Sequence, residues 1–509
     1  MTRKRGLIAG IGALVAAAAL TLGGATAAAA PQPVPTQGTV HLQKLAQPET
    51  LGDHADGLPK TGLSGGIDGV TFAAYLVPGI DLGTNAGQQA ALAATPGAAW
   101  TAIENAGTPT PAQTRQTAGG GVANFVNLPR GLYLFRETVT PAGVTAAPDF
   151  LVAVPLTDPS TGTDWLTDIY VYPKNARIGA EKSVANAADY VTGSTVTWTI
   201  DTKIPRVQNA AGDGFAAPDA FAIHDTLDNT QLSTTAAAVN VTVPAGLTKG
   251  TGADGDYNVA LNTSVAGQTT VEIVFTADGR AKLAAAVNAA TPNDTLTVTL
   301  DTTVLASGVI TNQAEIFPNQ ASITGDTPLV TNVPEVRYGA YAVDKLSSDA
   351  ALNVDGADGN PLAGAEFRVY LTRAAAQAGG SDYLAPASNA TGLWTTDNSG
   401  RILIDGLRDS DYADGAVQNV GDPAYQSYWL VEVKALAGHQ LLAEPVEFAV
   451  SRSTGGATAD QEIVNQKTEG GFQLPLTGGT GTTALTVGGL LIPRIVLVVA
   501  RRRPRDIAP

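Results

Sequence analysis

Short runs of alternating apolar and polar residues, separated by turns, restrict the folds that this sequence can adopt. In the run Thr195–Asp201, for example, Val196, Trp198 and Ile200 fall on one face of a strand. Gly (56 residues) and Pro (30 residues) supply many turns between such runs. Many short strands joined by turns are typical of β-sandwiches, so we predict an all-β chain of tandem Ig-like domains.

Three strand-rich domains are predicted between a leader and a terminal segment. The first and third domains share one phrase, at Gly69–Tyr75 and Pro361–Tyr370, and a second phrase, at Tyr133–Thr138 and Tyr428–Val433. This repetition indicates two copies of one module. The predicted bounds are 1–30 for the leader, 31–175, 176–335 and 336–468 for the three domains, and 469–509 for the terminal segment.

The leader has the parts of a secretory signal peptide. The basic run Arg3–Arg5 precedes the apolar run Leu7–Leu22, and small residues with candidate cleavage sites follow up to Ala30. The apolar run is short and Ala-rich, which favours a cleaved signal over a membrane anchor. The chain has no Cys, so an exported form cannot use the disulfides that stabilise many extracellular domains.

The charge and motif content argue against several classes of function. A net charge of −16 is unfavourable for nucleic-acid binding, which requires a basic face. The four His are scattered, and the acidic run Asp409–Gly415 lacks the alternation of a calcium loop because Ala413 holds its fifth position. The sequence also has no phosphate-binding Gly-rich loop or nucleophile elbow. We therefore predict no metal, no cofactor and no enzymatic activity.

The stretch Trp165–Asn175 reads W-L-T-D-I-Y-V-Y-P-K-N. Its β-branched and aromatic residues predict one strand over Leu166–Tyr172. Pro173 then removes a ladder donor and ends the strand. Lys174 is therefore presented just beyond a strand end by a stiff dipeptide, although Pro-Lys alone would be an ordinary solvated loop.

The terminal segment contains an LPxTG pentapeptide followed by the apolar stretch Ala484–Ala500 and the basic run Arg501–Arg505. These three parts, in this order, resemble the cell-wall sorting signal of Gram-positive surface proteins. Pro493 and Arg494 interrupt the apolar stretch, so we expect transient membrane retention rather than a stable span. The pentapeptide consists of Leu474, Pro475, Leu476, Thr477 and Gly478.

A second pentapeptide of this type, Leu58–Gly62, lies inside the first domain and reads L-P-K-T-G. It has neither an apolar stretch nor a basic run behind it. We predict that it forms a turn and is not used for sorting.

The stretch Trp165–Asn175 resembles the pilin motif W-x-x-x-V-x-V-Y-P-K, with Ile169 in place of the usual Val. With the sorting signal, it resembles the major shaft pilins of sortase-assembled Gram-positive pili, the SpaA/FimA-type fimbrial subunits. The resemblance implies that Lys174 of one subunit is joined to Thr477 of the next. The matching motif residues are Trp165, Tyr172, Pro173 and Lys174.

Each domain also contains a lysine in an apolar strand, an acid, and an Asn at or near its closing strand. The third domain resembles a Cna-B-type domain and the second the Cna-A-like middle domain of shaft pilins. The resemblance implies that the Lys and Asn form an intramolecular isopeptide bond with help from the acid. Burial would favour a neutral amine and a neutral acid, as this reaction requires. The trios are Lys44, Glu137 and Asn175; Lys182, Asp225 and Asn312; and Lys345, Glu432 and Asn465.

Two of the trios leave alternatives open. In the second domain Asp201 is an alternative acid and Asn319 an alternative acceptor. In the first domain Asn175 adjoins Lys174, and we expect its bond to be incomplete until Lys174 is linked. 

The resemblance implies a shaft subunit that is exported, polymerised into an extracellular fimbria and anchored to the cell wall, where it supports adhesion. Its implied partners are a pilin (class C) sortase, other copies of the chain, minor or tip pilins, and a housekeeping sortase with peptidoglycan. Host ligands are not predicted, and an Ala-rich, Lys-poor composition suggests an actinobacterial source. The alternative is a monomeric LPxTG-anchored adhesin with an Ig-like stalk, which would not need the pilin motif.

Overall fold

The computed structural model describes residues 33–47, 55–209, 214–250, 254–348, 360–451 and 459–468. The chain divides into two compact units. Unit 1 comprises Met1–Pro141 with Ala146–Ala176, and unit 2 comprises Ala142–Thr145 with Arg177–Pro509. The predicted division into three domains stays a prediction.

Unit 1 is built from a three-stranded and a four-stranded sheet, with two helices beside them. The strand Gln37–Gln43 is central in the first sheet, parallel to Asp168–Val171 and antiparallel to Val122–Pro129. The second sheet has the order Gln113–Gln116, Thr71–Leu76, Gly131–Val139, Phe150–Val154. The remaining elements are the strands Leu45–Ala46, Leu156–Thr157, Trp165–Leu166 and Lys174–Asn175 and the helices Asn85–Ala93 and Pro96–Asn105.

The first strand of unit 1 has one buried face, which continues to Lys44 just beyond the strand end. Val40 and Leu42 alternate with partly exposed neighbours and are almost fully buried. Since side chains alternate across a strand, Lys44 falls on the same face and is 0% exposed. The apolar period of the first strand therefore places a lysine amine inside the core.

Unit 2 contains two sandwiches. One sheet of the first sandwich contains the strands Ala180–Ala185, Thr195–Lys203, Thr295–Val304, Leu232–Ser233 and Val239–Val243. The facing sheet has the order Tyr257–Asn262, Gln268–Phe275, Ala222–Asp228, Ala314–Phe317, Leu329–Val330. Their inward faces form one core, in which Trp198 is 0% exposed and donates from Nε1 to Thr302 Oγ1 at 2.9 Å.

The second sandwich is organised on the 13-residue strand Glu335–Ser347. This strand pairs with Gly308–Thr311 at its start, then with Arg401–Arg408 and Asn360–Pro361, and runs parallel to the closing strand Gln461–Asn465. The facing sheet has the order Trp394–Thr395, Glu366–Tyr370, Tyr428–Lys434, Val446–Phe448.

Short elements complete unit 2. The helices are Ala277–Val287, Gln320–Gly325 and Arg373–Ala378, and the 3-10 turns are Ala236–Ala238 and Ala387–Asn389. Two small ribbons pair Val207–Gln208 with Phe215–Ala216 and Tyr412–Ala413 with Ala416–Val417. Among the described residues, no helix is long and apolar enough to cross a membrane.

Candidate functional site

In the second sandwich of unit 2, Lys345, Glu432 and Asn465 meet in the core. Lys345 Nζ donates a hydrogen bond to Asn465 Oδ1 and lies 3.7 Å from Glu432 Oε1. Asn465 Nδ2 donates to the two Glu432 carboxylate oxygens at 2.7 and 2.9 Å. The parallel register sets Ser347 opposite Asn465, and Lys345 shares the face of Ser347 two residues earlier. The strand register therefore brings the amine to the amide.

Unit 1 brings its own trio together in a related way. Lys44 Nζ donates to Glu137 Oε1, and Asn175 Nδ2 donates to Glu137 Oε2 at 2.6 Å. Asn175 belongs to a two-residue strand that runs parallel to Leu45–Ala46, immediately after Lys44. The Asn175 Oδ1 atom is buried without a hydrogen-bond partner among the described residues. The carboxyl of Glu137 thus bridges an amine and an amide.

The first sandwich of unit 2 places Lys182 and Asp225 on facing sheets. Lys182 Nζ donates to Asp225 Oδ2, and both side chains are fully buried. Asn312 is 2% exposed, and neither of its amide atoms has a hydrogen-bond partner in the described part of the chain. The Asn312 amide partly opposes the rise that burial causes in the pKa of Asp225, so it lies close to this carboxyl.

The two alternatives in this domain lie elsewhere and are otherwise engaged. Asp201 is on the exposed face of its strand and accepts a hydrogen bond from Thr297 Oγ1 at 2.5 Å. Asn319 caps the helix Gln320–Gly325 and accepts from the Ser322 backbone N–H at 2.7 Å. The geometry therefore favours Asp225 and Asn312 for the trio.

Burial shifts the pKa values of these groups toward their neutral forms. Burial lowers the pKa of Lys44 to about 8 and that of Lys345 to about 8, against the opposing attraction of Glu137 and Glu432. It also lowers the pKa of Lys182 and raises that of Asp225, because a charge inside the core loses its hydration. Neutral amines are therefore accessible near physiological pH, as nucleophilic attack requires.

The position of the carboxyl indicates what it can do. Both Glu137 and Glu432 contact the amide nitrogen of their Asn, which is the leaving group when the lysine attacks the amide carbon. Each can take a proton from the amine and pass it to the departing nitrogen, which leaves as ammonia. In these two trios the carboxyl contacts the amide nitrogen of the Asn.

An aromatic ring lies beneath each lysine, which the sequence reasoning missed. The Nζ atoms of Lys44, Lys182 and Lys345 are 5.5, 5.4 and 5.8 Å from the ring centroids of Phe72, Trp198 and Phe367, respectively. A ring face attracts a cation and, once the amine is neutral, packs as apolar surface. Phe72 and Phe367 occur in the phrase shared by the first and third domains, so the repeat could have revealed them. A further missed contact is the Leu442 N–H, which donates to Glu432 Oε2 at 2.8 Å.

Lys174 lies beside the first trio, half-buried, in the strand that carries Asn175. Its charge contributes to lowering the pKa of Lys44. The single strand predicted over Leu166–Tyr172 is wrong, because the structure has Trp165–Leu166 and Asp168–Val171. The two short strands have different partners, since Trp165–Leu166 pairs with Leu156–Thr157 and Asp168–Val171 with Gln37–Gln43. The change of partner falls at Thr167, whose carbonyl accepts from the Thr39 N–H at 2.7 Å.

Several predicted features lie outside the described residues. These are the leader and the terminal segment with the pentapeptide Leu474–Gly478, and they stay predictions. Within the described residues, no group of three or more His, Cys, Asp or Glu could hold a metal ion.

This combination defines an all-β protein in which buried lysines lie against acids, two of which also contact a buried asparagine. The chain belongs to the family of Gram-positive fimbrial subunits, the pilins. The fimbrial subunit type 1 of Actinomyces viscosus is 30% identical over 424 residues, which cover 78% of this chain and 77% of that protein. Residues 35–176 match the Gram-positive pilin subunit D1, N-terminal domain, and residues 350–467 match the SpaA prealbumin-like fold domain.

Two solved major pilins of Corynebacterium diphtheriae have the same fold. The chain matches SpaA with a TM-score of 0.57 and 22% identity, over 85% of this chain and 100% of that one. It matches full-length SpaD with a TM-score of 0.56 and 23% identity, over 85% of this chain and 98% of that one. The predicted family and the predicted all-β sandwich fold are confirmed, and these relatives are structural subunits rather than enzymes, as predicted.

The mass of the chain should reveal the internal bonds. Each Lys–Asn bond expels one ammonia, a loss of about 17 Da. For a fragment from Pro31 to Thr477 we expect two full losses, from the trios of unit 2, and a partial third loss from Lys44 and Asn175. Intact-mass spectrometry measures all three.

The acid of a trio should be required for its bond. Glu432→Ala should restore about 17 Da, because the proton carrier for the leaving nitrogen is gone. Glu462→Ala, which removes an exposed carboxylate of the strand that carries Asn465, should leave the mass deficit unchanged. A fragment with Glu432 intact and no mass deficit would contradict the cross-linking assignment.

The rate of bond formation at Lys345 should depend on pH. Burial holds the pKa of Lys345 at about 8, so the neutral fraction, and the rate, should fall about tenfold per pH unit below that value and level off above it. The measurement is mass spectrometry of never-folded chain, refolded at a series of pH values and quenched with acid. A rate that kept rising tenfold per unit up to about pH 10 would show an amine with its ordinary pKa and overturn the account.

Proposed function

We propose that this chain is the major shaft subunit of a covalently polymerised pilus that is anchored to the cell wall and supports adhesion. The observation that carries the proposal is the presentation of Lys174. Pro173 precedes it, the pairing with Leu45–Ala46 fixes its backbone, and the buried trio of unit 1 lies immediately beside it. A backbone fixed in this way limits the directions from which the Lys174 amine can meet an incoming acyl group.

The terminal pentapeptide supplies the matching acyl group. A pilin (class C) sortase breaks the bond between Thr477 and Gly478 and holds the Thr477 carbonyl as a thioester. The Lys174 amine of another subunit attacks this carbonyl, an amide forms, and the sortase thiolate leaves. Because donor and acceptor are different surfaces, repetition gives an open head-to-tail fibre, which a housekeeping sortase finally joins to peptidoglycan. Minor or tip pilins join the same fibre by the same chemistry.

The internal trios suit a fibre that is pulled from its ends. Lys345 and Asn465 lie on neighbouring parallel strands, the opening and closing strands of their sandwich. A bond between them lets tension pass through covalent linkages instead of peeling these strands apart. Lys182 belongs to one sheet, and Asn312 lies two residues before the strand Ala314–Phe317 of the facing sheet, so a bond between them would join the two sheets.

Removing the acceptor amine should stop polymerisation. Lys174→Ala should abolish the high-mass ladder on an immunoblot of wall extracts and leave monomer attached through Thr477. Lys434→Ala, which removes an ammonium that is 62% exposed in unit 2, should leave the ladder intact. A normal ladder from Lys174→Ala would sink the assignment, and a chain that never forms a ladder would favour the monomeric adhesin.

Only the terminal pentapeptide should anchor the chain. Deletion of Leu474–Gly478 should release the protein into the medium or leave it at the membrane, because no thioester can form. Thr61→Ala in the internal copy should leave wall attachment unchanged. Fractionation of wall, membrane and medium distinguishes these outcomes, and loss of attachment in Thr61→Ala would be inconsistent with this assignment.

A further inference from the structure

The internal pentapeptide Leu58–Gly62 lies against the pilin motif in unit 1. The Tyr172 hydroxyl accepts a hydrogen bond from the Lys60 N–H at 2.6 Å and lies 3.4 Å from the Leu58 carbonyl, to which it donates. One residue before the pentapeptide, the Gly57 carbonyl accepts from the Tyr170 N–H at 2.9 Å. The Leu58–Gly62 segment has no part in the function proposed above. It is nevertheless hydrogen-bonded to the stretch Tyr170–Tyr172, which leads to Lys174.

Asp56 forms further hydrogen bonds within the loop. Its Oδ1 accepts from the Leu58 N–H at 3.1 Å, and its Oδ2 accepts from Lys60 Nζ at 2.6 Å. Main-chain groups of Leu58 and Lys60 are thus hydrogen-bonded to Asp56 and Tyr172 within unit 1. Beyond these contacts Thr61 and Gly62 are exposed, and nothing lies within 4 Å of where a side chain at Gly62 would begin.

The pentapeptide has every fixed residue of a sortase substrate, namely Leu58, Pro59, Thr61 and Gly62. A sortase must take this sequence as an extended peptide into its own groove, where main-chain groups and the Leu side chain are bound. Here the Leu58 and Lys60 main chain is already paired within unit 1, so the loop must open before an enzyme can bind it. The scissile bond is exposed, but the recognition sequence is not free.

We propose that residues 58–62 are a latent sortase site that the Tyr172 hydroxyl keeps closed. The proposal rests on the proposed function, because it assumes that sortases act on this chain. Tyr172 then has two roles: it precedes the acceptor Lys174, and it leaves the terminal pentapeptide as the sole efficient acyl donor. Closure also protects the subunit from a cut between its first strand Gln37–Gln43 and the rest of unit 1.

The reaction at the opened site is a transpeptidation. The sortase thiolate attacks the Thr61 carbonyl carbon, the bond from Thr61 to Gly62 breaks, and the Gly62 nitrogen takes a proton and leaves as an amine. With hydroxylamine as acceptor, its nitrogen attacks the thioester, the thiolate leaves, and Thr61 ends as a hydroxamate. A bond between Lys44 and Asn175 would span the cut and hold the two pieces together. The product must therefore be read by peptide mapping and not by fragment size.

The test is treatment of the purified chain, without the leader 1–30 but with the Thr477–Gly478 bond intact, with an LPxTG-specific sortase and hydroxylamine, followed by quantitative peptide mapping. The Thr477 hydroxamate on the same chain is the internal reference. We expect slow Thr61 hydroxamate formation in the unaltered chain and a rate about five- to tenfold higher in Tyr172→Phe, because the hydrogen bonds that hold the loop closed are lost. Asp56→Ala, which loosens the loop from its other side, should raise the rate as well.

Tyr170→Phe is the matched control. It removes a hydroxyl two residues away, but Gly57 is hydrogen-bonded to the Tyr170 main chain, and a phenyl ring preserves the stacking on His41, with ring centroids 4.6 Å apart. Its Thr61 rate should equal that of the unaltered chain.

Three results would overturn the proposal. The first is an equal Thr61 rate in Tyr172→Phe and Tyr170→Phe. The second is absence of the Thr61 hydroxamate from both Tyr172→Phe and Asp56→Ala while Thr477 reacts, and the third is a Thr61 rate in the unaltered chain equal to that of Thr477. These three outcomes leave the shaft assignment standing. Failure of Thr477 itself to react would count against the proposed function as well as the latent site.

Discussion

Burial of a lysine amine between a carboxyl and an amide is the interaction on which the rest of this structure depends. An ammonium held alone in a protein core would be strongly unfavourable, so the group must be paired, neutralised or consumed. Lys44, Lys182 and Lys345 are each almost fully buried, each beside an acid and above an aromatic ring. Their surroundings favour the neutral amine, and an adjacent amide offers a reaction that removes the charge permanently.

The bonds proposed for the three trios would stabilise the domains without Cys. A bond between a lysine and an asparagine of the same domain restricts the unfolded chain as a disulfide does, for which roughly 2–5 kcal/mol is typical. It differs in being insensitive to reductants, which suits an exposed surface. In the proposed function the same chemistry, an amine attacking a carbonyl carbon, would serve between subunits, where Lys174 would take the role of the internal lysines and a sortase thioester that of the Asn amide.

Much of the site could be predicted because it follows from local patterns. Lys44 continues the apolar period of its strand, and Glu432 stands in a strand phrase shared with the first domain. What the sequence could not supply depends on contacts between distant segments. Asp225 shares the buried face of Ile223 and Leu227, so its burial follows from the alternation, but its contact with Lys182 is set by the packing of the two sheets. The interruption between the two short strands at Thr167 and the hydrogen bonds between Tyr172 and the 58–62 loop likewise depend on partners more than 100 residues away.

The central claim is that one amine, Lys174, links the subunits of a fibre whose domains are closed by the same kind of bond. Tandem mass spectrometry of protease-digested fibres tests this most directly. The account predicts a branched peptide in which the Lys174 Nζ is joined to the Thr477 carbonyl. Fibres in which Thr477 is joined to a different lysine, with Lys174 recovered as a free amine, would contradict it.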